Sequence, residues 1–115
     1  MSNAEDPWRN LAEVFEALAH PTRLKILALC ATKERSLREL QQILGISKPL
    51  LLAHLKKLIR AGLIVYRVEL DEKRFVMKKI YRVNRKQLVI DFEKLARELG
   101  LESRASDENG GSSEK

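Results

Sequence analysis

The stretch SKPLLLAHLKKLIRAGLI, residues 47–64, has the pattern of a helix with a defined start and end, followed by a strand. Ser47 is a residue type that caps helices by accepting a bond from a free backbone N–H. Pro49 suits the first turn, where its missing N–H is not needed. Gly62 stands where a helix commonly ends in a left-handed residue. Apolar residues at helical spacing predict one buried face, made of Leu51, Leu55, Leu58 and Ala61.

The other side of this helix, which we predict over residues 48–61, is basic. Lys56, Lys57 and Arg60 lie opposite the Leu51 stripe, and Lys48 stands at the helix start. A short helix that is buried on one side and cationic on the other is typical of helices that enter the major groove of DNA. An ordinary amphipathic surface helix has the same pattern, so the flanking segments decide between the two.

The first of three preceding helices begins at Asp6 and Pro7, a cap followed by a proline in the first turn. His20 precedes Pro21 and interrupts the chain, because a residue before proline disfavours the helical region. Pro21 then begins a second helix. The expected buried positions are Leu11, Val14, Phe15 and Leu18 in the first helix and Leu24, Ile26, Leu27 and Cys30 in the second.

A capping-box pattern, formed by Ser36 and Glu39, begins the third helix, and Gly45 ends it. Only Ile46 separates this glycine from the cap of the next helix. Two short helices joined by a tight glycine turn are the helix-turn-helix arrangement.

Beyond the fourth helix the apolar pattern becomes that of strands. Residues 63–70 and 75–83 are rich in Val, Ile, Tyr and Phe, and the polar residues 71–74 lie between them as a turn. The sequence therefore predicts a β-hairpin with two cations, Lys73 and Arg74, at its tip.

Asn84 is expected to cap a last helix that ends at Gly100. The predicted fold is mainly α with a small β-hairpin, in the order α-α-α-α-β-β-α, which is a winged helix-turn-helix. We expect this domain to span residues 7–100, between a disordered N-terminus or partial tag remnant (1–6) and a disordered polar tail (101–115). One face of the last helix carries Leu88, Phe92, Leu95 and Leu99.

Positive charge is concentrated in one part of the chain. Of the 22 Lys/Arg and 16 Asp/Glu residues, the segment 36–86 holds 13 and 4, a net charge of +9. Residues 1–35 are balanced, and residues 87–115 carry −3. Clustered positive charge indicates a polyanionic partner, although a merely solvated basic surface has the same composition.

Two segments resemble the arsenical-resistance-repressor (ArsR-like) family of bacterial and archaeal transcription regulators. The first is LAHPTRLKIL, residues 18–27, and the second is the segment 47–64 described above. Together with the hairpin that ends in Tyr81-Arg82-Val83, the resemblance spans about residues 8–99. It implies a winged helix-turn-helix repressor that binds double-stranded DNA as a homodimer.

In the family, the first and last helices form the dimer interface. The resemblance thus implies an interface on the apolar faces of the corresponding helices here. Alternatively, these faces pack only within one monomer. The expected interface residues are Leu11, Val14, Phe15, Leu18, Leu88, Phe92, Leu95 and Leu99.

The chain departs from the family at the usual metal sites. Many members bind thiophilic metals through cysteines in the third helix, where this chain has RSLRE (residues 35–39), and others use a last-helix histidine that is absent here. We therefore expect no metal and no cofactor. Cys30 is the only cysteine, so it is either a redox switch or inert packing. His20 fits a turn residue better than a ligand.

The second departure concerns base recognition. The family usually places Ser, Thr, Gln or Arg on the exposed side of the recognition helix, where this chain has Leu50, Leu52 and Ala53. These side chains offer only apolar contacts, so specificity would rest on DNA shape and the wing, or the leucines face another protein. His54 is either close to DNA or purely structural. The expected DNA contacts are Ser47, Lys48, Leu50, Leu52, Ala53, His54, Lys56 and Lys57, with Arg67, Lys73 and Arg74 around the wing 70–74.

Other function classes find little support in the sequence. It has no paired catalytic carboxylates, no nucleophile motif and no glycine-rich phosphate loop, so we do not expect an enzyme. No apolar run approaches the length of a membrane span, and a single cysteine suits a reducing cytoplasm. The leading hypothesis is a DNA-binding repressor without an identifiable effector site, and the alternative is a winged helix that binds another protein.

Overall fold

In the computed structural model, helices surround a β-hairpin that has a short additional strand at one edge. The structure describes residues 7–101, with side chains from residue 9 onward. The predicted cap Asp6 and the proposed terminal segments, apart from Leu101, lie outside these residues. No helix within them is long and apolar enough to cross a membrane. The elements are α1 (Pro7–Leu18), α2 (Pro21–Thr32), β1 (Arg35–Ser36), α3 (Leu37–Leu44), α4 (Lys48–Arg60), β2 (Ile64–Asp71), β3 (Val76–Val83) and α5 (Phe92–Glu98).

The starts of α3 and α4 follow the capping chemistry that the sequence predicts. Ser36 Oγ accepts a bond from the Glu39 N–H at 3.1 Å, and Glu39 Oε1 accepts from the Ser36 N–H at 2.9 Å, so both halves of the capping box form. Ser47 Oγ accepts from the Leu50 N–H at 3.3 Å. Gly45, with φ of +67°, ends α3, and Gly62, with φ of +78°, follows α4.

The core lies where α4 packs on α1, α2 and β2. The predicted stripe Leu51, Leu55 and Leu58 is fully buried, and Ala61 is partly buried. Leu24 was expected inside α2 but is exposed, and the neighbouring Arg23 is buried instead. The remaining fully buried side chains are Ile26, Leu40, Ile64 and Tyr81.

The sheet has three strands in the order β1-β3-β2, one more than the predicted hairpin. Arg35 pairs with Tyr81 and Ser36 with Ile80, so β1 covers only the inner end of β3. A two-residue strand has no periodicity of its own, which is why the sequence pattern did not indicate it. Between Ile80 and the hairpin tip, β1 does not pair with β3, so this part of the outer edge of β3 is open.

The turn of the wing differs from the prediction by one residue. The two long strands pair from Ile64–Val83 to Asp71–Val76, so Phe75 lies in the turn and not in the strand. The Asp71 carbonyl accepts bonds from the N–H groups of Arg74 at 3.2 Å and Phe75 at 2.7 Å. Asp71 Oδ1 also accepts from the Lys73 N–H at 3.2 Å. Asp71 therefore organises the whole turn.

The prediction for the last helix was wrong at its start. Asn84 caps no helix, because its side-chain amide donates to the Gly62 carbonyl at 3.0 Å. Residues 85–91 are irregular, and α5 begins only after Asp91, whose Oδ1 accepts from the Lys94 N–H at 3.1 Å. Leu88 accordingly precedes α5 rather than lying on its face.

Candidate nucleic-acid interface

A groove runs between the N-terminal halves of α3 and α4 and the open edge of β3. Its volume is about 590 Å³. The helices place Arg38 and Lys48 on one side, and the wing places Arg74, Lys78 and Lys79 on the other. Asp71 is the one acidic residue in the lining, so positive charge dominates the groove. Its apolar lining consists of Leu37, Leu52, Val76, Met77 and Tyr81.

Most cations of this groove are not neutralised by neighbouring carboxylates. Within residues 9–101, Arg38, Lys48 and Lys78 form no ion pair. The Nζ of Lys79 lies 4.6 Å from the centre of the Tyr66 ring, which orients the ammonium group without cancelling its charge. A concave surface with unpaired cations concentrates positive potential and attracts polyanions.

The exposed side of α4 adjoins the groove. Leu52 lines the groove and is 39% exposed, whereas Leu50 is 47% exposed on the other flank of the helix. Ala53 and Lys56 are exposed between them. Ser47 has its hydroxyl engaged in the helix cap, and Lys73 is exposed at the tip of the wing. Of the predicted contacts, Lys48, Leu52 and Arg74 thus line the groove, whereas Ser47, Leu50, Ala53, Lys56 and Lys73 are exposed outside its lining.

Two predicted DNA contacts are engaged elsewhere. Arg67 pairs with Glu34 at 2.7 Å and with Glu69 at 3.0 Å, so its charge is neutralised within the protein. Lys57 faces α1, where its Nζ lies 3.9 Å from Glu16. Both side chains are still about half exposed, at 49% for Arg67 and 50% for Lys57, and such exposed ion pairs are weak, so the two contacts stay predictions.

His54 is the residue for which the sequence left two roles open, close to DNA or purely structural. It is only 6% exposed, on the inner side of α4. Arg23 Nη1 lies 3.2 Å from His54 Nδ1, and the same guanidinium donates to the carbonyls of Ala17 at 2.8 Å and Glu16 at 3.3 Å. These contacts give His54 a structural role, because through Arg23 the residue ties α4 to the end of α1 and the start of α2.

The protonation state of His54 follows from this geometry. Arginine only donates, so His54 Nδ1 must accept, which requires a neutral ring with its proton on Nε2. Burial lowers the pKa of His54, and the neighbouring His20 ring, 4.5 Å away between centroids, and Arg23 lower the pKa further. His20 itself uses Nδ1 to accept from the Thr22 N–H at 3.1 Å, which caps α2.

Acidic pH is expected to destabilise the fold through His54. The unfolded histidine binds a proton near its ordinary pKa of 6.5, whereas the folded one binds it only at lower pH. The free energy of unfolding should therefore fall as pH falls below about 6.5 and level off below the folded pKa. Urea denaturation between pH 8 and pH 5 measures this. His54→Gln keeps an acceptor for Arg23 but cannot titrate, so an unchanged pH dependence in this variant would contradict the assignment.

Arg38 and Gln41 of α3 line the groove and were missing from the predicted contacts. The sequence held a weak signal for Arg38, which is a basic residue inside the positive segment 36–86. It belongs to the first helix of the helix-turn-helix, however, and only the turn geometry brings it beside Lys48. Lys78 and Lys79 belong to the same basic strip on β3.

A second, larger groove of about 970 Å³ lies between α1 and residues 85–98. Leu95 is buried beside it, but Phe92 is 70% exposed and Phe15 and Val89 are also exposed. The structure thus leaves two side chains of the predicted dimer interface, Phe15 and Phe92, open to solvent, together with Val89, which was not predicted. The other predicted interface residues, Leu11, Val14, Leu18, Leu88 and Leu99, are partly buried.

Cys30 has the environment of a packing residue. It is buried in the core, and burial raises the pKa of its thiol to about 11, with Arg35 opposing the shift. The protonated thiol is a poor nucleophile at neutral pH. Within residues 7–101, no group of three or more His, Cys, Asp or Glu side chains is arranged to hold a metal ion.

The helix-turn-helix, its hairpin wing and the groove between them define a winged helix-turn-helix domain. Residues 18–67 match the family described as a helix-turn-helix domain. Over 84 residues the chain is 33% identical to an uncharacterized HTH-type transcriptional regulator of Methanocaldococcus jannaschii. This alignment covers 73% of this chain and 86% of that relative. The chain belongs to the HTH-type transcriptional regulators.

Solved structures confirm the fold and the ArsR-like resemblance. One is the homodimeric winged helix-turn-helix DNA-binding domain of Mb0332 from Mycobacterium bovis, a possible ArsR-family transcriptional regulator. It is 27% identical with a TM-score of 0.62, over 95% of this chain and 89% of that chain. Another is HlyU from Vibrio cholerae, 28% identical with a TM-score of 0.61, over 81% of this chain and 95% of that chain.

Proposed function

We propose that this protein is a transcriptional repressor that binds duplex DNA as a homodimer. The unpaired cations between α4 and the wing are the observation that carries this proposal. Helix α4 enters the major groove, and the wing, around residues 70–74, follows the neighbouring backbone and minor groove. Lysine and arginine contacts to phosphates supply affinity and strong salt dependence.

A dimer fits the apolar surface that one protomer leaves open. Val89 lines the groove between α1 and residues 85–98 and is exposed, and Phe15 of α1 and Phe92 of α5 are exposed as well. Exposed apolar surface commonly marks interfaces. The homodimeric Mb0332 domain supports the same arrangement. A twofold dimer would present two α4 helices to successive major grooves, about 34–36 Å apart. Bound at a promoter, such a dimer blocks access of the transcription machinery.

Sequence readout by α4 rests mainly on apolar contacts. Leu50, Leu52 and Ala53 reach outward, and thymine methyl groups are the base feature that such side chains contact. Lys48 is the one long donor at the start of the helix. We therefore expect modest direct discrimination, with DNA shape contributing the rest.

The exposed leucines also favour a second function, a winged helix that binds another protein. Leu50 and Leu52 are 47% and 39% exposed on two flanks of α4. In that case the cations of the groove would be incidental, and binding to DNA would be weak at any salt concentration.

Fluorescence anisotropy with the protein's own upstream DNA and a scrambled duplex, at several salt concentrations, tests the proposal. A preference for the upstream site near physiological salt supports a sequence-specific repressor. Equal affinities for the two duplexes, with a steep salt dependence, would mean that the protein binds these duplexes non-specifically. No binding even at low salt overturns the proposal and favours the protein-binding alternative.

A further inference from the structure

Phe75 occupies an unusual position at the tip of the wing. It is 83% exposed, more than any other large apolar side chain among the described residues. Its φ of +56° makes it the one non-glycine residue with a positive φ within residues 7–101. Phenylalanine is disfavoured in the left-handed region, where Gly, Asn and Asp are common.

Neither the turn nor the core explains why this residue is phenylalanine. The turn is held by backbone groups, since the Phe75 N–H donates to the Asp71 carbonyl at 2.7 Å, and any residue type supplies an N–H except proline. The ring does not contribute to the buried core. A glycine or asparagine would form the same turn with less strain, so the aromatic ring serves something outside the protomer.

The distance from the sheet to the tip of the wing indicates which partner the Phe75 ring contacts. Beyond Ile80 the hairpin continues as two strands for four residue pairs, which carries the tip about 13 Å past the three-stranded part of the sheet. On B-DNA, half a helical turn of about 17 Å separates a major groove from the next minor groove on the same face. A wing beside a helix in the major groove therefore meets the phosphates of the adjoining minor groove.

The two residues that directly precede Phe75 are cations, although Asp71 and Glu72 balance the charge of the tip as a whole. Arg74 directly precedes Phe75 and lines the cationic groove, and Lys73 is the next residue back. The carboxylate of Asp71 accepts the Lys73 backbone N–H and so is held on the turn, although it keeps its charge. Glu72 lies three residues from Phe75, at the β2 end of the turn. The two cations that directly precede Phe75 are the tip residues that can contact phosphates beside an inserted ring.

We propose that Phe75 is a wedge that enters the minor groove, partly unstacks one base step and kinks the duplex. This inference rests on the proposed DNA binding and adds a specificity element to it. Pyrimidine–purine steps unstack most easily, so the wedge would favour operators with such a step under each wing. It would supply selectivity that the apolar side of α4 does not supply by hydrogen bonding.

The competing occupant of the tip is another protein. Tyr66, Val68, Leu70 and Met77 lie on one face of the hairpin stem, since paired residues of antiparallel strands point the same way, and all four are exposed. If the stem and tip bind a protein, neither Phe75 nor Val68 should matter for DNA binding. If the tip is a DNA wedge, Phe75 should matter for DNA binding and Val68 should not.

The test compares Phe75→Asn, Phe75→Leu and the control Val68→Thr on a duplex selected from a random library by the wild-type protein. Asparagine accepts the left-handed backbone but removes the apolar ring, whereas leucine keeps an apolar wedge. Affinity is measured by anisotropy, and bending by energy transfer between the duplex ends. We expect Phe75→Asn to bind about tenfold more weakly and to lose the bend, with an unchanged or higher Tm. Phe75→Leu should keep most of the bend, and Val68→Thr should match wild type.

Each other outcome identifies which idea fails. If wild type binds and Phe75→Asn bends the duplex equally with equal affinity, the wedge is wrong while the DNA-binding function stands. If Val68→Thr weakens binding as much as Phe75→Asn, the stem face and not the tip is the contact, and the wedge is again wrong. A wild-type protein that selects no duplex overturns both proposals.

Discussion

Replacing Arg38, Lys48 and Lys78 together with alanine should lower the affinity for duplex DNA about 100-fold or more at 0.1 M salt. Each phosphate contact contributes about 0.9 to the slope of log K against log salt, so the slope should fall by about 3 per protomer. All three side chains are exposed and none forms an ion pair within residues 9–101, so the fold should be unaffected. Anisotropy over a salt series measures both quantities.

A matched variant distinguishes the groove from general positive charge. Lys25, Lys33 and Arg97 are exposed and lie outside the groove, and their replacement by alanine removes the same three charges. We expect this variant to keep nearly the wild-type slope, because net charge acts weakly across more than a Debye length. Equal losses in the two triple variants would mean that the groove is not the contact surface.

Phe92→Glu should convert the proposed dimer into a folded monomer with weak DNA affinity. Phe92 is 70% exposed in the protomer, so glutamate there does not bury a charge in the monomer, but it does so in the proposed interface. Losing the second binding site removes the avidity of a linked pair, which is typically about 10²- to 10⁴-fold. Sedimentation equilibrium measures the mass, and circular dichroism shows whether the protomer remains folded.

Arg97→Glu is the control for this change. It also places a carboxylate on α5, but about 140° around the helix from Phe92, in a position that is exposed. We expect it to remain a dimer. A stable dimer in Phe92→Glu would locate the interface away from α5, whereas dissociation of both variants would point to net charge rather than to the apolar face.

The starts of α3 and α4 and the end of α3 were predictable because their causes lie within a few residues. Ser36, Glu39 and Ser47 form their capping bonds with backbone groups three residues away, and Gly45 adopts the left-handed conformation that its position requires. The periodic stripe on α4 was also correct, since an apolar face at helical spacing has few alternatives to burial.

What the sequence did not reveal depends on distant partners. Arg23 is buried because the carbonyls at the end of α1 and His54 on α4 accept its donors, and no local pattern contains that arrangement. Asn84 looked like a helix cap, but the Gly62 carbonyl takes its amide. The cationic groove likewise brings together Arg38 and Lys78, which are forty residues apart. The charge count therefore identified the basic segment 36–86 but not the groove that its side chains form.

The order of the strands has a consequence for how the protein is made. The last strand of the chain, β3, is the central one, and it pairs with both β1 and β2. A nascent chain that ends before Val76 contains the whole helix-turn-helix, yet it lacks Tyr81 for the core and the strand edge that completes the groove. If the groove binds DNA as proposed, we expect the emerging polypeptide to gain that capacity only in one late step, when β3 has left the ribosome and joins β1 to β2.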